Sequence, residues 1–154
     1  MNPVMVKAYL SSLLSAGNKL RVIDIASQIR ISKRTLDYVH YETDALGSLD
    51  RITDATTLSK DYFDVTGNLQ SACMYAHYLL LEGNTKEAGI ILEPFRDTQI
   101  DDPRIFYNYS YLLASISKYI ILLDVMYRYI RVNKGNEKAV QYFISVFLSF
   151  SLIS

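Results

Sequence analysis

One cysteine, three prolines, six glycines and no tryptophan occur among 154 residues, and each scarcity excludes something. A lone Cys73 rules out an intrachain disulfide framework and a cysteine zinc cluster, and it suits a reducing compartment, the cytoplasm. Missing too are a glycine-rich phosphate cradle, histidines at metal-ligand spacing and a nucleophile elbow, since His40 and His77 fall in separate elements. The expectation is a chain that is not an enzyme and uses no cofactor, metal or small-molecule substrate. Net charge is absent as well, with 16 basic and 16 acidic side chains. The balance is uneven, however: residues 1–40 carry six basic and two acidic groups, and the remainder ten and fourteen. A polyanion could therefore meet the first quarter and not the rest.

Long apolar runs are also scarce. In "MNPVMVKAYLSSLLSAG" the apolar Val4, Ala8, Leu10, Leu13 and Leu14 form a helical stripe broken by serines, with Lys7 the one charge. This reads as a surface helix rather than a secretory signal. The uncharged stretch from Ala139 to Ser154 is shorter than the about 20 residues of a membrane span, so a buried helix is expected there in preference to a tail anchor.

What is present is apolar content of 50%, enough for a core, recurring at intervals of three and four. The chain is expected to be all-α, with helices near 3–16, 22–30, 33–46, 54–64, 69–82, 85–97, 103–116, 118–132 and 136–151. The breaks fall at Gly17-Asn18, Gly47-Ser48, Gly67-Asn68, Gly83-Asn84, Asp102-Pro103 and Gly135-Asn136.

A shift of 34 residues lays Ala72 on Phe106, Tyr75 on Tyr109, Ala76 on Ser110, Leu79 on Leu113, Gly83 on Ser117 and Ala88 on Leu122. Residues 69–136 thereby resemble two units of the tetratricopeptide repeat, with a third beginning near Glu137. Gly83 and Ala88 match its pattern well; Leu122 stands where a small residue is usual, and the closing proline is missing. The resemblance implies antiparallel helix hairpins stacked side by side, the first helix of each lining a groove. It would put Gln70, Cys73, His77, Arg104, Tyr107 and Tyr111 toward a polypeptide ligand, with Tyr107 and Tyr111 as aromatic anchors and Arg104 on a carboxylate or carbonyl.

Earlier in the chain, "ASQIRISKRTLDYV" sets Ile25, Ala26, Ile29, Ile31, Leu36 and Val39 where two crossed helices would pack. With a supporting helix at 3–16, it resembles the helix-turn-helix of bacterial transcription regulators. The second helix would start at Lys33, capped by Ser32. Ser32, Lys33, Arg34, Asp37, Tyr38 and Tyr41 would then face DNA. Arg30 sits where that family commonly has glycine, and Asp37 would oppose phosphate.

The expected organisation is a tri-helical, helix-turn-helix-like segment at 1–46, a connecting helix or linker at 47–68, and a tetratricopeptide-like region at 69–154. Size and architecture also resemble the small tetratricopeptide chaperones of bacterial secretion systems. The expected function is capture of a protein or peptide as scaffold, adaptor or chaperone. The alternative is a transcription regulator with DNA as partner, and a second copy of the chain is a further candidate partner.

Overall fold

The computed structural model describes residues 2–151, and among these all regular structure is helical. In order come α1 (Pro3–Ser15), α2 (Lys19–Lys33), α3 (Val39–Ser48), α4 (Ile52–Thr66), α5 (Leu69–Leu81) and α6 (Thr85–Leu92). A 3-10 turn at Glu93–Phe95 follows, then α7 (Pro103–Ser115), α8 (Tyr119–Val132) and α9 (Glu137–Ser151). The caps are chemical. Asn2 accepts from the Val4 N–H at 2.9 Å, Asn68 from Ser71 at 2.9 Å and Asp102 from Arg104 at 2.8 Å, each satisfying an otherwise unpaired donor of a first turn. Pro3 and Pro103 start their helices at the position that needs no N–H.

Four helix-to-helix turns share one geometry. Gly17, Asp50, Gly83 and Ser117 adopt left-handed φ of 77°, 60°, 81° and 59°. The next N–H, from Asn18, Arg51, Asn84 or Lys118, donates to the carbonyl of Leu13, Leu46, Leu79 or Leu113 at 2.8–2.9 Å. Those left-handed positions recur every 33, 33 and 34 residues, so hairpin repetition starts at the N-terminus and not at residue 69. Burial repeats with it. Seven residues before the turn stand Leu10, Thr43, Ala76 and Ser110; five after it stand Val22, Ala55, Ala88 and Leu122; all eight have no exposed surface. The residue types at these points differ from hairpin to hairpin, from Leu10 with Val22 to Ala76 with Ala88 and Ser110 with Leu122, while the burial is the same.

The chain divides into two compact units, Met1–Asn84 and Thr85–Ser154. In the first, α2 packs on α1 and α3, α3 on α4, and α4 on α5. Val6, Leu10, Val22, Ala26, Tyr38 and Ala45 form one core cluster, and Val39, Leu46, Ala55, Leu58 and Tyr78 another. The stretch 47–68 supplies α4 to this unit, packed on both neighbours, so the expected segments 1–46, 47–68 and 69–154 do not coincide with the compact units. In the second unit α8 packs between α7 and α9, and the Tyr109 hydroxyl donates to the Leu92 carbonyl at 3.0 Å. That buried bond supplies the partner a phenol needs in a core.

The expected helix from Lys33 is corrected. α2 continues through Ile31, Ser32 and Lys33, Arg34 turns left-handed at φ 50°, and the next helix starts only at Val39. Ser32 caps nothing; its hydroxyl donates back to the Gln28 carbonyl at 2.6 Å within α2. Arg30, expected at a turn, is a helical residue in a bidentate pair with Glu42 of α3, at 2.9 and 3.0 Å. That pair joins the second helix of one hairpin to the first helix of the next. The C-terminal expectation changes too. Of α9, Ala139 is buried, but Val140, Ile144, Phe147 and Leu148 are exposed, so the helix is only partly buried and leaves apolar side chains on the surface. Residues 152–154 of the uncharged tail lie outside the described residues.

Candidate functional site

The repeated turn sets a register for the first helix of each hairpin. Counting back ten and six residues from the left-handed position gives Lys7 and Ser11 on α1, His40 and Asp44 on α3, Cys73 and His77 on α5, and Tyr107 and Tyr111 on α7. Each pair lies four apart and so on one side of its helix.

In the first unit two of these positions, Asp44 and His77, line a cleft of about 520 Å³ together with Leu14, Lys19, Gly47 and Tyr78 among others. Gly47 lets α5 approach: a β-carbon there would sit 3.2 Å from Tyr78 Cε1. Lys19 Nζ donates to the Ser48 carbonyl at 3.4 Å along the rim. Partial removal of water holds both imidazoles below the ordinary histidine value. At His40 the charge of Lys7 adds to that effect, and at both rings Asp44 opposes it. The same loss of water raises the Asp44 carboxyl, against the pull of the two histidines. Tyr78 is raised by burial first and by Asp44 second. The result is a polar cleft of hydrogen-bonding groups with mixed charge, suited to side chains and backbone amides of a ligand. Among the described residues no His, Cys, Asp and Glu side chains converge as metal ligands.

In the second unit α7 presents Arg104, Tyr107 and Tyr111. Tyr111 is 63% exposed. Tyr107 is half-buried, its ring edge-on to Phe106 at 5.2 Å and to Tyr142 of α9 at 5.4 Å, while Phe106 stacks on Tyr129 at 3.8 Å. Tyr107 is thus part of an aromatic joint between α7 and α9, and Tyr111 is the protruding ring. Arg104 bonds its own cap, with Nη2 to Asp102 Oδ2 at 2.9 Å, which raises the guanidinium and lowers the carboxyl.

No protein-family model and no curated protein matches the chain. Its backbone is similar to that of a solved structure titled "MamA RS-1 ArsTM double mutant", with a TM-score of 0.58 at 15% identity, covering 93% of this chain and 91% of that one. MamA is a tetratricopeptide-like protein. The chain described here has a tetratricopeptide-like fold.

Within this tetratricopeptide-like fold the six residues expected at a partner surface divide. Gln70 and His77 are exposed on α5, and Arg104 and Tyr111 on α7. Cys73 is corrected: it is 1% exposed, with its thiol pushed up to about 12 by burial, and so does not lie on an exposed helix surface. The residues expected to face DNA do not share one helix face. Ser32 and Lys33 end α2, Arg34 is the turn, Tyr38 is buried at the start of α3, and Tyr41 is half-buried with its ring 4.0 Å from that of His40. Lys7, His40 and Asp44 become candidate positions only through the folded register. The signal that could have found them is the spacing of Leu13, Leu46, Leu79 and Leu113, each four residues before a left-handed turn. At Asp50 and Ser117 no glycine marks that turn.

Among the described residues no helix is long and apolar enough to cross a membrane.

Proposed function

We propose that this protein is a non-enzymatic interaction module of the cytoplasm that holds a polypeptide partner against the first helices of its hairpins, as scaffold, adaptor or chaperone. The observation that carries this reading is the recurrence of chemically varied side chains at one helical register: within the first unit exposed Lys7, half-buried His40 with Asp44, and exposed His77, and within the second unit exposed Tyr111. Within a unit, repetition gives such a module equivalent positions with different side chains, which is how a bound peptide is read along its length. An aromatic ring that is already well placed, as at Tyr111, adds contact area at small entropic cost.

The test is site-specific photo-crosslinking in the native host, with benzoylphenylalanine at His77 or Tyr111 and, as control, at the exposed Val65 of α4. A discrete polypeptide adduct at His77 and Tyr111 but not at Val65 supports the reading. Equal labelling at all three positions, or recovery of DNA rather than polypeptide, refutes it.

A further inference from the structure

A second cleft, of about 400 Å³, lies in the second unit between the segment 96–100 and α8, and none of its lining residues is a first-helix position. That volume falls within the ~300–1,000 Å³ of ligand pockets. Its floor is apolar and well held. Ile100, Val125 and Tyr129 are buried, and Tyr129 is clamped by its stack on Phe106. Val132, 60% exposed, forms an apolar rim.

Three arginines line the same cleft, and they are not equivalent. Arg128 is consumed by the fold. Its Nη2 donates to the Arg96 carbonyl at 2.6 Å, to Asp97 Oδ1 at 2.9 Å and to Asp124 Oδ2, tying the 96–100 segment to α8. Gln99 is likewise engaged with Asp101 at 2.9 Å. Arg96 and Arg131 are exposed and have no carboxylate partner among the described residues. Two guanidinium groups with free donors therefore stand over an apolar, pre-organised floor. This combination recognises a carboxylate carried beside an apolar side chain.

We propose that this cleft is a second recognition site, taking a peptide segment in which acidic and leucine-like residues alternate. The proposal rests on the reading of the protein as a polypeptide-binding module, and charge complementarity selects the occupant. Arg96 and Arg131 pair with the peptide's carboxylates while Ile100, Val125 and Tyr129 receive its aliphatic side chain. Because Arg128 already fixes the loop, binding orders little that is not ordered beforehand.

The test is fluorescence anisotropy of the full chain with a labelled Asp-Leu-Glu-Leu-Asp peptide, against one with serine for leucine and one with lysine for the acids. Only the first is expected to bind, and added salt weakens it. Arg96→Gln with Arg131→Gln, both exposed, is expected to leave the circular dichroism spectrum unchanged and to lower the affinity about tenfold or more. Val65→Ser, on the exposed side of α4, leaves it unchanged. Binding that survives the arginine changes but is lost with Tyr111→Ser overturns this site and leaves the first-helix reading standing. Absence of peptide binding, equal binding of the serine peptide, or decanoate binding in place of the peptide overturns it as well. Photo-crosslinking at His77 and Tyr111 is independent of every one of these results.

Discussion

Replacing Arg30 tests whether the joint between the first two hairpins is an ion pair that the core depends on. Glu42 has a side chain only 6% exposed, and both its oxygens accept from Arg30, whose own side chain is 31% exposed. The carboxylate hydrogen bond is the leading cause of the raised guanidinium, ahead of the opposing loss of water. Arg30→Met removes the donors and leaves the carboxylate enclosed. Breaking a buried pair from one side costs about 3–5 kcal/mol, and the partly exposed arginine argues for the lower end, about 3 kcal/mol. For a unit of this size each kcal/mol moves Tm by about 4–8 °C, so a fall of roughly 15 °C is expected. The double variant Arg30→Met with Glu42→Leu removes the charge along with its partner and should recover most of that loss, since buried pairs exchange for apolar contacts at little net cost. Urea denaturation followed by circular dichroism gives the four free energies of the cycle. A single variant within about 0.5 kcal/mol of the parent, the ordinary range for surface changes, would refute the reasoning.

Three further outcomes are expected. His40 and His77 sit below their ordinary 6.5 in the folded chain, so below that pH the unfolded state binds more protons. Stability of the first unit is therefore complete above 6.5 and declines as pH falls from there through the folded values; urea midpoints across that window should show it, and His40→Gln with His77→Gln should flatten the decline. Cys73, buried with its thiol raised to about 12, should resist a maleimide in the native chain and react once urea unfolds it, so rapid native labelling would contradict the packing. Ser117 holds φ 59° where the matching turn has Gly83, and Ser117→Gly should raise stability by about 0.5–1 kcal/mol through relief of left-handed strain, with a lower Tm counting against the shared turn.

The sequence by itself determined the helical class and most helix limits in the second half. Asn68, Gly83-Asn84, Asp102-Pro103 and Gly135 act locally, through caps and left-handed turns, and local chemistry is visible in a linear string. It also placed Gln70, His77 and Tyr111 on exposed helix surface, because a 34-residue shift preserves register. Only tertiary structure decided that the first half repeats as well. Asp50 takes a left-handed turn without glycine to announce it, and Thr43 and Leu10 fill a site that Ala76 and Ser110 occupy elsewhere, so similar environments carry dissimilar letters. Tertiary structure likewise decided the fate of residues 30–39. Arg30 looked like a turn residue until Glu42, twelve positions away, was brought against it, and α2 continued through the expected corner. The Arg96 and Arg131 cleft belongs to the same class. It assembles from segments about thirty residues apart, and which arginine is consumed depends on where Asp97 and Asp124 come to rest, a matter of packing geometry that no local pattern records.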